Sequence, residues 1–321
     1  MLNKKLSAIL TLVLGSAAPA AAQQYPTKSV RVVVPFTAGS TTDIIARTVT
    51  ERLAASFGHP VIVDNRVGAG GTIGAGIAVK AAPDGYTVLI HSSSHTVNPA
   101  TYPNLGFDTA RDFSGVTPLA SLPNVLVMGP SKGIRSVKDL LAAAKAKPGT
   151  LTYASAGAGS ATHLNAEKFR IGAGIDALHV PFKGSPEAVT EVMTGRVDYY
   201  FAPLAPVISL LKDGRLVAVA VGSPRRSSAL PDVPTTLEAG VPNSDYNFWI
   251  GMMVPAKTPK AVIDRLYSET TKALASPEMK KRYADLGADA MPMRPEQFDA
   301  YIAKEIAENQ ALVKKAGIKT Q

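Results

Sequence analysis

Short runs rich in Val, Ile and Leu alternate with longer amphipathic stretches along most of the 321-residue chain. That is the pattern of strands crossing over through helices into a parallel sheet. A first series reads as strands at 30–34, 61–63 and 87–91, with a helix at 42–57 and a second helix opened by the glycine-rich stretch 68–76. Pro83-Asp84-Gly85 turns the chain before the third strand. A second series follows, with strands at 125–128, 151–154, 177–180, 197–201 and 216–221 and helices at 137–146, 161–171 and 186–194. The chain then returns through a strand at 248–254 to helices at 260–274, 277–286 and 295–316. Two series and a return imply two α/β lobes: 23–124 with 235–321 as the first, 125–234 as the second. Two crossings, near 122–126 and 230–245, make a hinge.

The first 22 residues stand apart from this pattern. Lys4 and Lys5 precede an apolar run at 6–14, and Ala20-Ala21-Ala22 offers small residues for cleavage. These are the parts of a secretory signal peptide cleaved near Ala22. The apolar run is too short for a membrane span, which takes about 20 residues, and it breaks at Gly15, Ser16 and Pro19. No later segment is long and apolar enough to span, so the expected location is the periplasm. The absence of cysteine excludes disulfides, thiolate metal sites and a cysteine nucleophile. Without Lys4 and Lys5 the 34 basic residues fall to 32 against 25 acidic, a net +7. That charge suits an anionic partner or serves solubility. No basic run is interleaved with aromatics, so nucleic-acid binding is not expected.

Two segments share one design, a strand ending in a Gly/Ser/Thr-rich loop that leads directly into a helix. They are PFTAGSTTD at 35–43 and YASAGAGSATH at 153–163. Small residues let a ligand approach the backbone, and the first N–H groups of each helix, reinforced by its dipole, point at whatever fills the loop. Such a loop either binds an anion or merely makes the turn and caps the helix. Finding one in each lobe favours the anion. In an open parallel sheet, ligands sit at the carboxyl ends of the strands, so the two loops are placed to face one another across a cleft.

Other chemistry finds little support. The glycines from Gly68 to Gly76 do not fit a dinucleotide fingerprint, because Ile73 stands where its third glycine belongs. No hydrolase nucleophile elbow and no His-Glu-x-x-His occurs. His91 and His95 are four residues apart, but Ser92-Ser93-Ser94 between them reads as a strand-end loop lining a cleft, not a metal site. His163 and His179 read as helix-start and packing residues, and Trp249 as core. Asp198 lies in an apolar strand pattern, where its carboxylate either faces a ligand in a wet cleft or binds neighbouring backbone.

With both loops in view, the sequence resembles the Bug-type receptors of the tripartite tricarboxylate transporter family, the TctC family. The resemblance runs over nearly the whole mature chain through PFTAGSTTDIIAR, VIVDNRVGAGGTIGA, AAPDGYTVLI, SLPNVLVMGP, LTYASAGAGSATHL, HVPFKG, RVDYYFAP, LPDVPTTLEAG and WIGMMVPAKTP. It implies a type II periplasmic-binding-protein fold, a ligand cleft between the lobes, and a permease partner with one large and one small membrane subunit. It implies a di- or tricarboxylate, amino-acid or aromatic-acid ligand, and no cofactor, metal or catalytic group. A sensory receptor serving a signalling partner is the closest variant, and a secreted enzyme of the same shape a more distant one.

Carried onto matching positions, the ligand residues are Phe36, Thr37, Ala38, Gly39, Ser40 and Thr41 in the first loop, and Ser155, Gly157, Gly159, Ser160 and Thr162 in the second. Ser92, Ser93, Phe182 and Asp198 are expected to read the rest of the ligand. The family usually has Pro-Gly-Gly where this chain has Ala38-Gly39-Ser40, and often tyrosine where it has Phe182. The first departure changes the usual water-bridged grip and the second removes a polar handle, which makes room for a ligand with an apolar or aromatic body.

Overall fold

The computed structural model describes residues 25–318. The proposed signal peptide lies outside them. Two sheets organise the chain. The first contains β1 (Val30–Val34), β2 (Val61–Asn65), β3 (Thr87–Ser92), β4 (Phe113–Leu122), β10 (Phe248–Pro255) and β11 (Asp289–Ala290), in the order β11-β4-β10-β3-β1-β2. The second contains β5 (Asn124–Met128), β6 (Leu151–Ser155), β7 (Ala177–Pro181), β8 (Tyr199–Pro203) and β9 (Val217–Val221), in the order β7-β6-β8-β5-β9.

The helices return the chain between strands. They are α1 (Thr41–Phe57), α2 (Thr72–Val79), α3 (Ser94–Thr101), α4 (Val137–Ala146), α5 (Ala161–Ala173), α6 (Ser185–Met193), α7 (Ile208–Lys212), α8 (Lys260–Ala275), α9 (Pro277–Asp285) and α10 (Pro295–Ala316). α1 shows how local sequence sets an element. The Ser40 hydroxyl accepts the Asp43 N–H at its start, Ile45, Val49 and Leu53 bury against the first sheet, and Gly58 in a left-handed conformation ends it.

Neither sheet is purely parallel. β10 runs antiparallel to both β3 and β4, and β5 runs antiparallel to β8 and β9. The reversed strands are those at the passages between sheets: β4 leads through Pro123 into β5, and the chain returns from β9 to β10. The return comes later than residue 235. Val221 pairs with Thr235, and Val241 is buried in the core beneath the second sheet, so 235–241 pack with the second lobe. A hydrophobic core fills the α1 and α8 side of the first sheet, another its α2 and α10 side, and two more flank the second sheet.

Candidate functional site

The carboxyl ends of β1, β3, β6 and β7 meet between the sheets, and a helix begins close to each. α1 and α3 start from the first lobe, α5 and α6 from the second. Their first residues surround one small cavity of ≈ 20 Å³, lined by Ser40, Thr41, Thr42, Ser92, Ser94, Ser160, Thr162 and Ser185, with Phe36, Ala156, Pro203 and Phe248 as its apolar walls. That volume admits the centre of one water-sized group. The lining holds no side-chain charge of either sign. What charge it presents comes from four helix N-termini, each carrying about half a positive charge. An anion placed there is stabilised by oriented dipoles and hydroxyls.

The hydroxyls are ordered by short local bonds. Ser40 caps α1 and Ser160 caps α5 by accepting the N–H of Asp43 and His163, each at 3.3 Å. Thr162 Oγ1 accepts the Ala156 N–H at 3.0 Å, and Ser185 Oγ lies 3.0 Å from the Tyr200 hydroxyl. Ser92 donates to Ser94 Oγ, which also accepts the Ala161 N–H of the other lobe at 2.8 Å. Thr41 Oγ1, on the cavity wall, is buried without a hydrogen-bond partner. An unpaired buried hydroxyl is costly unless a ligand completes it. Just outside, Asp43 is buried; burial pushes its carboxyl up, but Arg47, the Gly39 N–H and Asn65 outweigh this and hold it below its ordinary value.

A larger cavity of ≈ 480 Å³ adjoins the small one, since Phe36 and Ala156 line both. Its walls are mostly apolar or backbone: Pro35, residues 68–71, Tyr102, Gly157, Ala158, Pro181 and Phe182, with Lys183 and Glu187 as its charged groups. The lobes touch around it. Tyr102, which caps the end of α3, donates its hydroxyl to Ala158 O at 2.8 Å, and Gly159 packs on Thr101 and Tyr102.

Of the residues expected from sequence, Phe36, Ser40, Thr41, Ser92, Ser160 and Thr162 meet at the small cavity, and Gly157 and Phe182 line the large one. Thr37 abuts Gly184 of the second lobe, while Ala38 and Gly39 form the exposed turn. Ser93 is buried behind the cavity, its N–H on Trp249 O and its hydroxyl accepting from Tyr246. Ser155 faces away, toward His179, and Gly159 faces α3.

Asp198 requires a correction. It precedes β8, at the amino end of the strands, opposite the end that bears both loops. Its carboxylate is bound by Lys132 Nζ at 2.5 Å and by the N–H and hydroxyl of Thr152 at 2.8 and 2.9 Å. The 91–95 segment also differs from a loop: His91 is on β3, and Ser94 and His95 begin α3. The two rings are fully buried, 5.3 Å apart, and burial lowers both, His91 well below its ordinary value and His95 to about 3. Among the described residues no group of three His, Asp or Glu side chains forms a metal site. Thr42, Ser94 and Ser185 are the hydroxyl-bearing cavity residues that sequence reasoning missed. The signal for Ser185 was present, since Gly184-Ser185-Pro186 has proline just inside a helix start.

Two α/β lobes around an anion-favouring cleft define the class: a solute-binding protein of the type II periplasmic-binding-protein fold. Residues 45–318 match the family described as "Tripartite tricarboxylate transporter family receptor". BugT of Bordetella pertussis is 35% identical over 307 residues, covering 95% of this chain and 94% of BugT. The chain belongs to this TctC receptor family. Among solved structures, R. palustris Rpa4515 with adipate is 33% identical with a TM-score of 0.89, over 92% of this chain and 100% of that one. MatC from Rhodopseudomonas palustris with bound malate is 30% identical with a TM-score of 0.84, over 90% of this chain and 100% of MatC.

Proposed function

We propose that this receptor captures a small organic carboxylate in the periplasm by closure of its lobes and delivers it to a permease with one large and one small membrane subunit. The observation that carries the proposal is the convergence of four helix N-termini, two from each lobe, on one hydroxyl-lined cavity. The cavity takes the carboxylate, and the larger cavity beyond Phe36 and Ala156 takes the ligand body. Relatives solved with adipate and malate support a dicarboxylate, and the Phe36, Tyr102 and Phe182 walls extend the range to acids with an apolar body. In this reading the N-terminal signal peptide directs secretion and is cleaved near Ala22.

No catalytic step is proposed. Ser155 and His179 lie 2.6 Å apart, as a serine nucleophile and its base would. However, Ser155 lines neither cavity and its oxygen already accepts the Gly157 N–H. Thermal unfolding against aliphatic dicarboxylates, citrate, acidic amino acids, nicotinate and aromatic acids tests the reading. Binding at about 100 times Kd stabilises the fold by about 2.7 kcal/mol, a shift of several degrees. One chemical class giving that shift and recovered unchanged is expected; no shift from any acid on folded, ligand-free protein refutes it.

A further inference from the structure

The second loop contains two glycines in backbone conformations unfavourable to other residues, Gly157 at φ +124 and Gly159 at φ +69. Each amide is held by a side chain behind the loop. Gly157 N–H donates to Ser155 Oγ at 3.1 Å, and that oxygen lies 2.6 Å from His179 Nε2. Gly159 N–H donates to His163 Nδ1 at 3.2 Å. A backbone N–H only donates, so His163 Nδ1 is unprotonated and its ring is neutral, with the proton on Nε2. Ser155 Oγ accepts from Gly157, which leaves the serine proton for His179 Nε2. The imidazoles lie face to face, 3.9 Å between centroids and 8° from parallel, with Tyr153 stacked 5.0 Å from His179.

The groups around this stack keep it uncharged. Glu167 of α5 faces His163 and favours its proton, but Arg170 holds that carboxylate through two bonds at 2.9 and 2.8 Å, and Tyr153 of β6 donates to it as well. Tyr199 of β8 stacks behind Tyr153. Burial dominates, lowering His163 to about 4 and His179 to about 3, and charge on either ring opposes charge on the other.

We propose that His163 and His179 are positioning residues for ligand binding: a neutral stacked pair that fixes Gly159 and Gly157, and through them the α5 N-terminus, and that releases the loop when protonated. The ligand-related part rests on the carboxylate reading of the cleft. Protonated His163 would turn an N–H toward the Gly159 N–H, so the anchored loop excludes the proton. A released loop returns the ring to its ordinary value near 6.5. Anchoring therefore weakens as pH falls below about 6.5, by up to tenfold per pH unit.

His163→Phe keeps a ring in the stack but removes the acceptor. His163→Asn removes the ring but places Oδ1 where Nδ1 stood. Amide hydrogen exchange of Gly159 in ligand-free protein, between about pH 5.5 and 7.5 and referenced to a core amide such as Val33, reads the anchor directly. Expected are loss of Gly159 protection by tenfold or more in His163→Phe, its recovery in His163→Asn, and acid-dependent protection in the wild type that flattens in His163→Asn. Nitrogen-15 shifts should place the His163 proton on Nε2. Undiminished protection in His163→Phe, or pH-independent protection in the wild type, overturns the proposal; the wild-type and Asn data decide it even if the Phe variant does not fold. Titration with adipate should follow the same order of variants, and the exchange results decide the anchoring whether or not adipate binds.

Discussion

Thr41 and Asp198 show that a buried polar side chain can serve opposite ends. Thr41 Oγ1 has no partner on the wall of the small cavity, so with the lobes together its hydroxyl is a burden until a ligand pairs it. Thr41→Val replaces it with a methyl group of similar shape. We expect unchanged or raised thermal stability, together with binding weakened by about tenfold to a hundredfold, since a hydrogen bond to a charged group contributes roughly 1.5–3 kcal/mol. Calorimetric titration with the acid that shifts the melting temperature checks both. Asp198→Asn should do the reverse. It weakens the bonds to Lys132 and Thr152, so we expect destabilisation of about 1–3 kcal/mol in denaturant unfolding with ligand affinity unaltered. The residues alone left Asp198 open between ligand and scaffold, and the family resemblance then placed it among the ligand residues, because Lys132 and Thr152, 66 and 46 residues away, leave no local pattern. Ser40 and Ser160 were legible for the opposite reason, since a capping serine and its helix are neighbours in the chain.

At the scale of elements, runs with one dominant signal were readable and runs with two were not. The bounds of α4 and α10 follow from sequence because caps and apolar spacing agree. β4 escaped because Gly115 and Pro118 interrupt it. The structure accommodates Pro118 where β10 shifts register and where β11, which pairs only with Ala120 and Ser121, does not reach, so its missing N–H breaks no ladder. The reversed sense of β5 and β10 was also hidden, because a hydrophobic run carries no direction. α3 was obscured by its serines, yet it supplies the bond from Ser94 to the Ala161 N–H, which exists only while the lobes are together. Ser94→Ala also removes the acceptor of the Ser92 hydroxyl within the first lobe, so we expect a loss of ligand-free stability below about 1 kcal/mol and, if closure is needed for capture, a further five- to tenfold weakening of ligand binding from the lost lobe-to-lobe bond. Equal loss of stability and affinity would assign Ser94 to the scaffold alone.

For the whole molecule, capture as proposed requires that the lobes part and meet, and Gly184 offers a way to separate closure from folding. Gly184 precedes α6 in the second lobe with φ −176, an extended backbone that any residue adopts. A side chain there is therefore free of backbone strain, and within its own lobe its Cβ meets only the end of the Glu187 side chain, at 3.4 Å. Across the cleft, however, its Cβ would overlap the Thr37 hydroxyl of the first lobe and come within 3.2 Å of the Thr37 Cβ. Gly159 tests closure less cleanly, because its left-handed backbone resists a side chain whatever the space. Gly184→Val is thus a wedge between lobes. We expect a folded protein with near wild-type unfolding, a larger radius of gyration in solution scattering that ligand fails to reduce, and binding weakened by at least tenfold. Gly184 is the N-cap of α6 but gives it no side-chain bond, so the N–H groups that face the cavity stay in place, and the lost affinity measures what is gained when four dipoles act on one carboxylate instead of two. Wild-type affinity in a demonstrably open variant would mean that one lobe binds alone, and the convergence of the two loops would then have no part in capture.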